Sequence, residues 1–308
     1  MHIFAVLPLR QNMKILRYTP YILAVLLASC KQESKPLAEN IDDNKPDTVL
    51  HITPPSFKFG NVSKAYKDDK HYVIQQYYNK IWPKGDLSGG MLIAKNGEVL
   101  FEKYGGYANI RNKTEITAET PMHLASVSKV FTAAVALKLI DLGKLDLDAK
   151  VSSILPEFPY EDISVKMLLN HRSGLPNYAY FADDRAIWDR HMMNNQDVLN
   201  LLAQHKFALY FKPDKKFGYC NTNYVMLALI IEKITHKNYR DVMKEVVFDP
   251  LGMKNSYVFD YEKDKETATL SYKGNGVLYG WDFLDNIYGD KNIYSTPVSY
   301  THLRAHET

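Results

Sequence analysis

At 308 residues with 46% hydrophobic side chains, the chain is long enough to bury a large core, in one domain or in two lobes. Its formal charge of +3 belongs to its ends. Without Arg10, Lys14 and Arg17 at the start and Arg304 and Glu307 at the finish the balance is zero, which excludes a basic patch for nucleic acid. The 2 cysteines, Cys30 and Cys220, lack metal-type spacing, so neither a disulfide framework nor a zinc site is expected.

In chain order, residues 1–29 read as a signal peptide. Met13-Lys-Ile-Leu-Arg17 supplies a basic start, which makes Met13 a better initiator than Met1. Ile22 to Ala28 is an apolar core too short to span a bilayer. It ends Leu27-Ala-Ser-Cys30, which resembles the lipobox of bacterial lipoproteins. That resemblance implies lipidation of Cys30 as the first mature residue, with the protein anchored in the bacterial cell envelope and facing the periplasm or exterior. Residues 30–55 are polar with scattered prolines and read as a flexible tether.

The folded domain is expected over 56–297. Apolar and aromatic positions at Ala65, Tyr66, Tyr72, Val73, Tyr77 and Ile81 predict an amphipathic helix over 63–81. Two strand-like runs around Asn96-Gly97 predict an antiparallel hairpin over 90–104 with a type I′ turn. His123-Leu-Ala-Ser126-Val-Ser-Lys129-Val-Phe131 then opens an apolar run that Gly143 ends. This predicts a central helix, hydrophobic all round and buried, with Ser126 at its N-terminus and Lys129 one turn on along the same face. A serine so placed has backbone N–H groups and an ammonium within reach, the equipment of an activated nucleophile. The same residues also describe a cap serine beside a surface lysine, so later segments must decide.

Helical patterns follow at 162–171, 196–205, 223–236 and 238–248, with Ser173-Gly174-Leu-Pro176 and Asp249-Pro250-Leu-Gly252-Met253 as stops. A hairpin followed by a run of helices indicates an α+β fold, an antiparallel sheet flanked by helices plus an all-helical lobe. Tyr219-Cys-Asn221 lies in the loop entering the apolar 223–236 helix. A tyrosine serves as general base beside cations that stabilise its phenolate, and an asparagine two residues on can bind an amide. Tyr77-Tyr-Asn79 and Tyr107-Ala-Asn109 share the pattern but fall in a predicted helix and just past a strand end. Residues 298–308 match the translation of a transposon-based sequencing adapter residue for residue, so they are set aside as non-native. On that reading the gene is cut near Thr296 and C-terminal strands are missing, so the 308-residue chain is expected to be inactive and poorly folded.

The motifs resemble those of the serine β-lactamase-related family, which holds class C β-lactamases, D-alanyl-D-alanine carboxypeptidases and related esterases. His123-Leu-Ala-Ser126-Val-Ser-Lys129 matches its first motif, Tyr219-Cys-Asn221 its second, and Leu168-Leu-Asn-His171-Arg-Ser-Gly-Leu-Pro176 its "LLxHxSGLP" signature. Pro250-Leu-Gly-Met253 and Gly289-Asp-Lys-Asn-Ile-Tyr-Ser-Thr296 follow in family order. Departures are Arg172 where small residues are common, Asp214 where glycine is usual, and Cys220 at the variable motif position. The third family motif, Lys or His followed by Thr-Gly or x-Gly, is absent.

The resemblance implies a β-lactamase/DD-peptidase-like fold and acyl transfer through an ester on Ser126, with Lys129 and Tyr219 handling protons. Asn221 would orient the substrate amide, and the Ser126 N–H would donate to the oxyanion. Substrates would be D-Ala-D-Ala peptides, from peptidoglycan or as small molecules, or β-lactams. A carboxylesterase on the same serine, or a penicillin-recognising sensor that acylates without turnover, are the alternatives. No metal or organic cofactor, no nucleic acid and a monomer are implied. Ser128, Asn170, His171 and Tyr178 are expected to be structural or to support the residues that touch substrate, with His171 a satisfied helix-end histidine.

Overall fold

The computed structural model describes residue 50 and residues 60–84 and 87–304. The chain divides into two units, residues 1–48 and 49–308. The first lies outside the described residues, and with it the signal peptide and the Cys30 lipidation site. Leu50, inside the expected tether, packs against the main core.

The N-terminal layer forms as its periodicity dictates. Helix α1, Lys64–Ile81, starts where Ser63 Oγ accepts from the Tyr66 N–H at 3.2 Å. Strands β1 (Gly89–Lys95) and β2 (Glu98–Gly105) pair antiparallel, and Asn96 and Gly97 take the positive φ of 52° and 75° that a type I′ turn needs. Tyr78 of α1 is buried with Phe101 of β2 and Leu87, with Ile93 and Met91 of β1 packed around them. Strands β3 (Tyr107–Asn109) and β4 (Thr114–Glu115) make a second small ladder. Tyr107 lies just past the end of β2 at Gly105, as expected, and opens β3.

The Ser126 segment begins with strand β5, Met122–His123, and a 3₁₀ turn, Ala125–Val127, that runs into helix α2, Ser128–Asp141. Phe131, Val135, Ala136 and Leu139 are fully buried, yet Leu137 is 52% exposed. Helix α2 is therefore not buried all round. An apolar composition states how much surface favours burial, not which neighbours are there to cover it.

Three short helices follow, α3 (Val151–Ile154), α4 (Val165–Leu169) and α5 (Tyr178–Phe181), then α6 (Asn195–His205), which an Asn194/Asp197 capping box starts. Helix α7, Thr222–Thr235, is the buried centre: every residue from Thr222 to Ile231 is buried. Helix α8 (Tyr239–Met243) continues as a π-helical turn over Lys244–Phe248. Strand β6 (Tyr257–Val258), helix α9 (Tyr261–Asp264), the β7–β8 ladder (Ser271–Tyr272 with Leu278–Tyr279), strand β9 (Ile293–Ser295) and helix α10 (Pro297–Arg304) complete the described residues. The class is α+β with small antiparallel sheets, as expected.

Two packing relationships position the site. Strand β9 lies between β5 and β6, pairing His123 with Tyr294 and Met122 with Ser295. This brings the Gly289–Asn292 segment against the turn that carries Ser126. On its other side the segment lies against α7, which Gly289 permits: with φ +94°, a Cβ there would meet Tyr224 O at 2.4 Å and Ala228 Cβ at 2.7 Å. Helix α10 forms within the adapter-matching segment, with the Tyr300 ring 6.0 Å from that of Phe131.

Candidate active site

Ser126 occupies an exposed turn entered through Ala125, whose φ of 46° is left-handed for a non-glycine residue. Such a conformation costs about 1–3 kcal/mol and gathers at functional sites. The next turn holds Lys129, which is 6% exposed. Its Nζ donates to the Asp290 carbonyl at 2.8 Å and reaches Ser126 Oγ at 3.4 Å. From across the cleft the Tyr219 hydroxyl donates to Ser126 Oγ at 2.9 Å. The ammonium is also 5.0 Å from the Tyr219 ring centroid and 5.7 Å from that of Tyr224. Either neighbour, once it has given up its own proton, is placed to take the one on the serine hydroxyl.

Three buried side chains of α2 hold the Gly289–Ile293 segment. Ser128 Oγ accepts from the Ile293 N–H at 3.0 Å, Lys129 takes the Asp290 carbonyl, and Thr132 Oγ1 donates to the Gly289 carbonyl at 2.6 Å. Tyr239 donates to Thr132 at 2.7 Å, which leaves the threonine proton for Gly289. The Asp290 carboxyl is itself buried. Tyr178 donates to its Oδ2 at 2.9 Å, Oδ1 has no partner among the described residues, and burial pushes its pKa up.

Opposite α2, the Tyr219 loop rests on His171. The imidazole is pushed down to about 4, first by burial and then by the Lys129 charge, so it is neutral near pH 7. Burial raises the Cys220 thiol, which leaves that cysteine a weak nucleophile. Asn221 opens α7 without capping it, and its Oδ1 is buried with no partner among the described residues. An unpaired carbonyl oxygen at this place suits an N–H donor from a ligand. A cavity of about 1000 Å³ runs from Ser126, Lys129 and Tyr219 along the open side of α2 past Val130, Ala134 and Leu137. Among the described residues no group of three or more His, Cys, Asp or Glu is arranged to hold a metal ion.

The structure thus brings Ser126, Lys129 and Tyr219 together, with Asn221 two residues beyond the tyrosine. Tyr77 lies in α1 and Tyr107 in β3, away from this cavity's lining. Ser128 and Tyr178 are buried and hydrogen-bonded within the protein, as expected of structural residues. Sequence reasoning missed Asp290 and Thr132. The hydroxyls at 128 and 132, spaced to flank Lys129 on one face of an apolar helix, were the available signal.

A small α+β frame that brings a serine, a lysine and a tyrosine into hydrogen-bond range is the arrangement expected of the β-lactamase family. The Beta-lactamase family model matches residues 75–306, and the chain belongs to that family. It is 34% identical over 251 residues to penicillin-binding protein 4* of Bacillus subtilis (strain 168), covering 74% of this chain and 54% of that protein. It is 33% identical over 168 residues to a D-aminopeptidase of Brucella anthropi, covering 54% and 32%. Among solved structures, an octameric penicillin-binding protein homologue from Pyrococcus abyssi aligns with TM-score 0.62 at 29% identity, over 76% of this chain and 55% of that one. A class C β-lactamase mutant shares the fold, with TM-score 0.62 at 21% identity over 79% and 64%. The chain spans about half the length of the curated relatives it matches, 54% of the first and 43% of the second.

Proposed function

We propose that the protein is a cell-envelope serine hydrolase that forms an acyl-enzyme on Ser126, with D-Ala-D-Ala peptides or β-lactams as substrates. The observation that carries this reading is the shared contact of Tyr219 and Lys129 with Ser126 Oγ, at 2.9 Å and 3.4 Å. With the Tyr219–Lys129 pair one proton short, as phenolate and ammonium or as phenol and amine, Oγ attacks the substrate carbonyl carbon, the Oγ–C bond forms and the serine proton passes to that pair. That proton then goes to the leaving nitrogen as the C–N bond breaks. Water attacks the ester carbonyl and gives up a proton to the same pair, and Ser126 Oγ takes a proton back as it leaves. Asn221 Oδ1 would accept the substrate amide N–H, and the Ser126 N–H would face the oxyanion.

The relative named as a D-aminopeptidase supports a substrate bearing a D-residue, and the one named as a penicillin-binding protein supports recognition of a β-lactam. The lipobox-like Leu27-Ala-Ser-Cys30 supports the envelope as the site of action, where lipidated Cys30 and a tether over 30–55 would hold the domain. The chemistry needs neither metal nor organic cofactor, and a monomer would suffice. A substrate panel on the product of the complete gene tests the reading. Turnover of a D-Ala-D-Ala peptide or of nitrocefin supports it. Turnover of p-nitrophenyl esters alone indicates a carboxylesterase, and a burst without turnover indicates a sensor.

A further inference from the structure

His171 ends α4 in the left-handed conformation, with φ 57°, and by position alone is a helix-end residue. Its contacts go further, because it grips the chain on both sides of Tyr219. Its carbonyl accepts from the Gly218 N–H at 2.8 Å, and its Nδ1 accepts from the Cys220 N–H at 3.2 Å. Between those two bonds the imidazole lies against the Tyr219 ring, with centroids 4.5 Å apart at 39°. Phe217 meets the imidazole edge-on at 5.9 Å, and Tyr224 of α7 flanks it at 5.2 Å. We propose that His171 is a positioning residue for Tyr219, holding the phenol over Ser126 by fixing the backbone before and after it and the ring itself. The proposal rests on the reading of Tyr219 as the group that exchanges a proton with Ser126.

Two features make this more than packing. A second donor, Asn223 Nδ2, approaches the same Nδ1 at 3.2 Å, while Asn223 Oδ1 accepts from Ser173 Oγ at 2.6 Å. Two donors aimed at one ring nitrogen fix the tautomer with the proton on Nε2. The imidazole also lines the same cavity as Ser126, Lys129 and Tyr219, so a change in it is felt at the reacting atoms. The titratable and charged groups facing it are Lys129 from α2, Tyr224 from α7, and Tyr219 and Cys220 from the loop. None of these is an acid that would stabilise an imidazolium. Protonation would turn Nδ1 into a donor facing donors, release the Cys220 N–H and free the loop. An apolar side chain could fill the volume but would leave the Cys220 N–H unpaired. Asparagine supplies an acceptor and tolerates the left-handed backbone.

The test is the rate of active-site labelling by a fluorophosphonate in the product of the complete gene, measured across pH for wild type, His171→Ala and His171→Asn. A misplaced general base costs on the order of 10²-fold, so His171→Ala should label that much more slowly while its dissociation constant for a D-Ala-D-Ala peptide stays unchanged. His171→Asn should recover most of the rate. The wild-type rate should fall through an acid limb near pH 4, the value to which the imidazole is pushed, and His171→Asn should lack that limb. A folded His171→Ala that labels at the wild-type rate overturns the proposal. If that variant does not fold, an acid limb retained in His171→Asn overturns it instead. A wild type that takes no label overturns the functional reading and this proposal with it, which separates the two failures.

Discussion

Tyr219 and Ser126 stand 93 positions apart in the chain, yet the phenol donates to the serine oxygen at 2.9 Å. Neither residue is held there by its own element alone. Ser126 rides on a turn before α2, whose side chains grip the Gly289–Ile293 segment. Tyr219 rides on a loop before α7, which His171 holds. The contact is therefore a readout of how α2 and α7 pack.

Replacing Tyr219 by Phe removes the hydroxyl and keeps the ring contacts. The fold should persist, while acylation, deacylation or both slow by roughly 10²–10⁴-fold, the usual loss for an acid–base group. Tyr77→Phe and Tyr107→Phe serve as controls, because neither lines the cavity. Stopped-flow acylation of the three variants checks this, and equal losses in all of them would contradict it.

Acid should weaken the fold through two histidines. Burial pushes both His123 and His171 down from 6.5 to about 4. The unfolded chain then binds protons that the folded one refuses, so their contribution is complete above pH 6.5 and falls away towards pH 4. Glu232, Asp285 and Asp290 are raised by burial and act with the opposite sign, so the comparison must be between variants. Urea unfolding of wild type and His171→Asn at pH 7 and pH 4.5 should show a smaller acid loss in the variant. An unchanged difference between the two pH values would contradict the assignment.

Gly289→Ala should be costly twice over. Its φ of +94° disfavours a side chain by about 1–3 kcal/mol, and the new Cβ would press on Tyr224 O and Ala228. Relief of that clash moves Asp290 away from Lys129, so labelling of Ser126 should slow along with the fall in melting temperature. Gly280→Ala, where nothing lies within 4 Å, should leave both measurements unchanged.

For the anchor proposed at Cys30, Cys30→Ala should release the protein from membranes and stop incorporation of labelled fatty acid. Attachment that persists without the cysteine would point to an uncleaved signal segment.

Local signals accounted for much of the fold. Helix α1, the Asn96-Gly97 hairpin and α6 follow from caps, turn residues and apolar spacing within each segment. The β5–β9–β6 sheet did not, because strands of two or three residues carry no periodicity and pair across long stretches of chain. The central role went to α2 in the sequence and belongs to α7 in the structure, since both are apolar and only packing decides which is covered. At the site, Ser126, Lys129 and Tyr219 were legible from spacing and from the order of the motifs. The Asp290 carbonyl that takes the Lys129 proton donor was not, because a main-chain acceptor leaves no mark in residue type.

The central claim, a nucleophilic serine activated by its neighbours, is tested most directly by intact-mass analysis after exposure to a fluorophosphonate or a penicillin. The product of the complete gene should gain one adduct, mapped by peptide digestion to Ser126. Ser126→Ala should gain none, and Lys129→Ala should gain none or gain it far more slowly. Full labelling of the Ser126→Ala variant would contradict the account.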